Sequence, residues 1–217
     1  MAEIQEQKKM LRAALYIDGF NLYHPIHENG ENFLKWNCLQ TLGKNMASKA
    51  GFQLVKVVFC TAFPKHMGQG TKDRYLAYRN ALRARGVHVI EGHYIEERST
   101  GKWSEKQSDI NVSLSCLFDA VDDVYDVAYL LSADSDQAAT ARVFKERFKG
   151  KRLIPVAPPN KKVPTKVADY SGKGFVLKIS DLEKCVMSNA VQGKKGLIRR
   201  PVAYNPPAGW VHPINRP

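Results

Sequence analysis

YDVAYLLSADSDQ, from Tyr125 to Gln137, decides the fold. Val124 to Ser132 is a β-rich run of strand length. It stops on Ser132-Ala133-Asp134-Ser135-Asp136, a cluster of turn and helix-start residues. Behind it, Asp134 to Phe148 sets Ala138, Ala141, Phe144 and Phe148 at spacings of three and four, the period of a helix lying on a core. The same grammar recurs on either side. Ala13 to Ile17 ends on Asp18-Gly19, and Gln53 to Phe63, Gly86 to Tyr94 and Lys151 to Ala157 are further β-rich runs. Helical spacing connects them at Trp36 to Ala50 (Leu39, Leu42, Met46), Thr71 to Arg85 (Tyr75, Tyr78, Leu82) and Asp109 to Ala120 (Ile110, Leu114, Leu117). Strand and helix alternating at this length predict an α/β fold with a mostly parallel central sheet and crossover helices on both faces, a three-layer α/β/α Rossmannoid arrangement.

The 217 residues carry 33 Lys+Arg against 21 Asp+Glu, a net charge of +12, and are 44% hydrophobic, which is globular rather than disordered composition. One main domain over residues 1–186 is the expectation. Residues 187–217 differ: they hold Lys194, Lys195, Arg199, Arg200 and Arg216, no acid, and five of the eleven prolines. They read as a basic arm whose Tyr204 and Trp210 are apolar enough to dock, on the body or on a second copy. Ile154 to Pro164 reads as a loop leaving the fifth strand. Cys38, Cys60, Cys116 and Cys185 contain no CxxC pair, and they read as reduced thiols of a cytoplasmic protein, Cys116 lying in the core. The start, MAEIQEQKKMLR, has charges where a signal peptide has an apolar run, and no later stretch is apolar enough to span a bilayer, so neither secretion nor a membrane partner is expected.

From Glu91 to Asp126 there are nine acids and three bases, and from Lys145 to Lys173 nine bases and two acids. An acidic centre with basic flanks suits a metal site acting on a polyanion. In open parallel sheets ligands bind beyond the carboxyl ends of the strands, where strand order reverses. Asp18 and the pair Asp134 and Asp136 stand at two such ends. If those strands are neighbours, three carboxylates converge, and like charges about 4 Å apart repel by roughly 4 kcal/mol per pair at an effective dielectric of 20. A hard cation, Mg²⁺ or Mn²⁺, is the oxygen-preferring ion that relieves this. Each element also has a structural reading: Ser132 and Asp134 suit a helix N-cap, Asp18-Gly19 a turn, and Asp109 a helix start. His24 and His27 follow Asp18 closely enough to touch phosphate, although exposed or capping histidines are commoner. There is no GxxxxGK[ST] loop and no GxGxxG, and the second acid that a haloacid-dehalogenase phosphatase needs two residues after Asp18 is Phe20.

YIDGFNLYH (Tyr16 to His24), EKQSDINVSL (Glu105 to Leu114) and YDVAYLLSADSDQAATARVFKERFKGKRL (Tyr125 to Leu153) together resemble the three motif blocks of the NYN-domain family of PIN-like metal-dependent nucleases. The resemblance spans about residues 13 to 160. It implies a PIN-like fold, RNA as partner and phosphodiester hydrolysis as activity. It implies further that Asp18, Asp109, Asp134 and Asp136 hold divalent metal, with Asn21 a polar partner and Ser132 a support. Many members carry S-G-D-G-D-F where this chain has Ser132-Ala133-Asp134-Ser135-Asp136-Gln137. Arg74, Arg79, Lys161, Lys162 and Lys166 are candidate contacts to the RNA backbone. The expected function is a Mg²⁺- or Mn²⁺-dependent ribonuclease. The rivals are a non-catalytic RNA-binding or scaffold protein of the same fold, which should have lost acids, and a small-molecule phosphatase on a similar sheet.

Overall fold

A computed structural model describes residues 10–216, so most of the charged N-terminal stretch read above, and Pro217, lie outside the described residues. Seven strands form the main sheet: β1 (Arg12–Asp18), β2 (Gln53–Ala62), β3 (His88–Glu96), β4 (Trp103–Lys106), β5 (Val127–Leu131), β6 (Arg152–Ala157) and β7 (Phe175–Val176). Their order is β4-β3-β2-β1-β5-β6-β7, parallel throughout except for the β3/β4 pair. The helices are α1 (Gly19–Glu28), α2 (Leu39–Lys49), α3 (Gln69–Ala84), α4 (Ser108–Val121), α5 (Gln137–Arg147), α6 (Thr165–Ser171) and α7 (Ile179–Glu183). A hairpin of β8 (Ala190–Gly193) and β9 (Gly196–Arg199) follows.

β1 divides the core. Its Leu15 and Ile17 share a cluster with Leu22 and Ile26 of α1, Leu42 of α2 and Leu182 of α7. Its Ala14 and Tyr16 share another with Val112 and Cys116 of α4, Phe144 of α5 and Val167 of α6. The period-two alternation of one strand thus feeds both faces, and the three-layer α/β/α arrangement with a mostly parallel sheet is as the sequence implied.

Three readings change. The turn expected at Asp18-Gly19 is the start of α1, with Asp18 as its N-cap. In α4 the buried stripe is Val112, Cys116 and Ala120, while Ile110 and Leu114, which carried the helical reading, are exposed with Phe118 and Val121. Smaller side chains at a four-residue spacing let α4 lie closer to the sheet than Ile110 and Leu114 would. Finally, Ile154 to Ala157 still belongs to β6, so the loop begins at Pro158.

The segment after Val186 is folded against the body. Val186 makes an isolated bridge with Asn37, Met187 N donates to the Trp36 carbonyl, and the Trp36 indole donates to the Ser188 carbonyl at 3.0 Å. Met187 and Val191 are buried with Trp36, Cys38 and Ala81, and Tyr204 packs on that cluster. Trp210 sits 5.3 Å from the Phe33 ring and donates to Glu183 at 2.8 Å. Both aromatic residues therefore dock on the chain's own body. All four cysteines are free and buried. No described helix is long and apolar enough to cross a membrane.

Gly19 fixes how closely α1 approaches β2. A Cβ there would stand 2.6 Å from the Cys60 carbonyl oxygen and 2.9 Å from the Phe59 ring. Gly19→Ala is expected to cost about 1–3 kcal/mol through overpacking, read as a lowered denaturant midpoint with unchanged slope.

Candidate functional site

β1 pairs with β5 in parallel, Ile17 opposite Leu131, so Asp18 and Ser132 leave the sheet side by side where strand order reverses. As N-cap of α1, Asp18 accepts from the Phe20 and Asn21 amides through Oδ1, both at 3.1 Å. The first turn of α1 also brings the Asn21 side chain back over the strand ends. Its Nδ2 donates to Asp18 Oδ2 at 2.7 Å, and its Oδ1 accepts from Ala133 N at 3.0 Å. One amide thus ties the end of β1 to the end of β5, with its orientation fixed because each end demands a different atom. Ser132 Oγ lies 3.4 Å from Asp18 Oδ2 and accepts from Asp134 N at 3.1 Å. Asp134 Oδ1 closes the turn by accepting from Asp136 N at 2.9 Å.

Asp18 is 3% exposed. Burial pushes its carboxyl above the usual range, the hydrogen bonds from Asn21 and Phe20 pull it back, and the charge of Asp134 pushes it up again. A buried acid next to a second acid favours the neutral form, and a cation between them reverses that preference. The lone pairs that remain here are on oxygen, those of the two carboxylates and of the Ser132 hydroxyl, while the Asn21 amide is committed to Asp18 and Ala133. Such a set fits a hard divalent ion that keeps several waters, held by one or two carboxylates and completed by substrate phosphate.

The wider convergence expected from the sequence is not formed. Among the described residues no group of three or more His, Cys, Asp or Glu side chains is set to hold a metal ion. Asp136 occupies the N-cap position of α5 but makes no side-chain cap and is exposed. Asp109 stands in the first turn of α4, half-buried, and it is its carbonyl, not its carboxylate, that meets α5, accepting from Gln137 Nε2 at 3.3 Å. Neither carboxylate makes a hydrogen bond or ion pair with Asp18 or Asp134 among the described residues, and Asp136 meets the pair only through its backbone amide on Asp134.

The acidic centre also disperses. Asp123 and Asp126 lie at the opposite, amino edge of the sheet, paired with Arg12, and the Arg12 hydrogen bonds hold the Asp126 carboxyl down at about 2. Asp119 accepts from the Tyr16 hydroxyl at 2.7 Å and pairs with Lys56 at 2.8 Å. Glu91 pairs with Arg79 and Arg83, so Arg79 is engaged within the chain. Lys161 pairs with Glu28 on the surface. Lys162 and Lys166 are exposed on and just after the loop leaving β6, at the carboxyl edge. Arg74 lines a cavity beside Asp18, together with Lys35, a residue that sequence reasoning passed over. The available signal was a lone base inside the apolar run Phe33-Leu34-Lys35-Trp36.

Comparison with known proteins bears on the same residues. The NYN domain family model matches residues 12–171. No curated protein matches. A crystal structure of a protein of unknown function from Vibrio parahaemolyticus superposes with a TM-score of 0.54 at 18% identity, covering 80% of this chain and 97% of that one, a likeness of fold. Because the family match runs unbroken from β1 to α6 and takes in both strand ends that meet at Asn21, the chain belongs to the NYN domain family, within the PIN-like nuclease superfamily.

Proposed function

We propose that this protein is a ribonuclease that hydrolyses RNA phosphodiester bonds with Mg²⁺ or Mn²⁺ at Asp18 and Asp134. The observation that carries the reading is the meeting of these two acids across Ser132, at the reversal of strand order, with Asn21 locking both strand ends. Asp18 and Asp134 each commit Oδ1 to backbone amides. Asp134 Oδ2 accepts no hydrogen bond among the described residues, and Asp18 Oδ2 shares its lone pairs with Asn21 and Ser132. When bound, the ion acidifies a water and screens charge developing on the phosphate. Asn21 holds Asp18 in one rotamer, and Ser132 keeps the Asp134 turn in register with it. Asp109 and Asp136, at the rim, orient water or hold the ion's outer hydration. Lys162, Lys166 and Arg74 are the backbone contacts; Arg79 and Lys161 would first have to leave Glu91 and Glu28. Family membership supports RNA over DNA. A scaffold has no use for a buried acid such as Asp18 whose proton affinity is raised by burial and by a neighbouring acid, which favours catalysis over the non-catalytic alternative. Four unpaired, buried thiols suit a reducing, cytoplasmic setting.

The test is a gel assay of single-stranded and structured RNA with Mg²⁺, with Mn²⁺ and with chelator, beside a panel of phosphate monoesters. Cleavage with metal that chelator stops is the expected result. Phosphate release from monoesters with RNA left whole would transfer the site to the phosphatase reading, and no turnover of either would leave the fold as a binding scaffold.

A further inference from the structure

A cavity of about 460 Å³ opens immediately beyond Asp18, between α1 and α3, with Gly19 and Phe20 in its wall. Pockets that take small ligands run from about 300 to 1,000 Å³. Lys35, Arg74 and His27 line it, and no Asp or Glu does. Lys35 is 8% exposed. Its ammonium donates to Asn32 Oδ1 at 2.6 Å and, having no lone pair, donates also to His27 Nδ1 at 2.9 Å. It lies 4.9 Å from the centre of the Tyr23 ring. Arg74 donates to Thr71 Oγ1 at 2.9 Å. Among the described residues neither cation has a carboxylate within ion-pair distance. Arg79, one turn or so along α3, shows that the chain pairs an arginine when a partner is supplied. Burial pushes the Lys35 ammonium down, and the charge of Arg74 pushes it further.

Two uncompensated cations in one recess are unfavourable until an anion enters. The rest of the wall specifies the body that should accompany the anion. Tyr23, Tyr75, Tyr78, Tyr94 and Tyr204 all contribute to the lining, the last from the C-terminal segment. Aromatic side chains beside a phosphate-seeking Arg and Lys are what a stacked base with its phosphate requires.

We propose that this cavity binds a nucleoside phosphate, with the phosphate on Lys35 and Arg74 and the base against the tyrosine rings. The pocket stands on its own geometry; assigning its ligand to a phosphorylated end of an RNA chain, seated so that the neighbouring phosphodiester reaches Asp18, rests on the ribonuclease reading.

Calorimetric titration in chelator tests it, using adenosine and uridine 5′-monophosphates, the matching nucleosides, inorganic phosphate, and a short RNA with and without a terminal phosphate. Expected are binding of the monophosphates at least about tenfold tighter than of nucleoside or phosphate alone, and a loss of about tenfold or more in Lys35→Met and in Arg74→Gln. Met keeps the apolar stem of Lys35 and removes the buried charge, so this variant should melt no lower than the parent. Should it fail to fold, Arg74→Gln, at a half-buried position, decides the question. Tighter binding of the end-phosphorylated RNA than of the monophosphates makes the RNA end the ligand; the reverse makes it a free nucleotide. Affinity unchanged in a folded Arg74→Gln, or no binding of monophosphate or RNA at about 1 mM, overturns the proposal. Metal-dependent RNA cleavage by a protein that ignores monophosphates and gains no affinity from a terminal phosphate on RNA sinks the pocket alone, whereas monophosphate binding without cleavage sinks the nuclease reading alone.

Discussion

Asp18→Asn and Asp134→Asn are each expected to lower metal-dependent RNA cleavage by roughly 10³-fold, the scale of losing a principal stabiliser of transition-state charge. Neither should unfold the protein. For Asp18 the stability effect has a definite pH signature, because its folded carboxyl holds its proton more tightly than the unfolded one does. In metal-free protein that cost is absent where the acid is protonated in both states. It sets in as pH rises past the unfolded value of about 4 and is complete above the raised folded value. The difference in melting temperature between Asp18→Asn and parent should therefore shift in favour of the variant as pH rises through this window. Its absolute level is trimmed, since Asn21 is held by Ala133 and cannot turn its amide to receive the side-chain NH₂ that the substitution introduces, which forfeits a 2.7 Å hydrogen bond worth about 1 kcal/mol. Cleavage at the parental rate by nuclease-free preparations of both variants would show that the acids are not catalytic.

Truncation after Met187 should lower stability by about 3–5 kcal/mol, a drop in melting temperature on the order of 10 °C for a chain of this size. The loss comes from what the segment covers. Trp36, fully buried, loses its indole acceptor at Ser188, Val191 leaves the cluster around Cys38 and Ala81, and Phe33 loses Trp210. An unchanged melting temperature would show that the segment's contacts are energetically idle. If its bases instead touch RNA, truncation also makes the salt dependence of affinity shallower, by about 0.7 per lost contact to single-stranded RNA.

The parallel sheet, and the meeting of Asp18 with Ser132 and Asp134, were legible because buried strands announce themselves as unalternating apolar runs and strand ends carry their own turn chemistry. The α4 register was not. Ile110 and Leu114 outweigh Cys116 and Ala120 in hydrophobicity, and only the close packing of α4 on the sheet explains why the smaller pair faces inward. Asp109 and Asp136 looked equivalent to Asp134 by residue type, yet Asp109 meets α5 through its carbonyl and Asp136 stands exposed without capping α5, which are tertiary facts. Charge counting failed for the same reason: Asp119, Asp123 and Asp126 are adjacent to the site in sequence but satisfied elsewhere by Tyr16, Lys56 and Arg12. The cavity at Lys35 escaped notice because its wall is drawn from segments as distant as Phe20 and Tyr204.

The four buried cysteines provide a built-in clock for local opening. Burial pushes the thiols of Cys60, Cys116 and Cys185 up to about 12, so a thiolate-seeking reagent has almost nothing to attack while the chain is closed. Labelling then proceeds only at the pace at which each region exposes itself. The positions divide the molecule conveniently: Cys116 lies on the buried face of α4, Cys60 in β2 opposite Asp18, and Cys38 and Cys185 at the seam where the C-terminal segment is fastened, joined by a backbone hydrogen bond of 2.7 Å. Peeling of that segment alone would surrender the seam thiols first and leave Cys60 and Cys116 silent, whereas global unfolding would release all four at one rate.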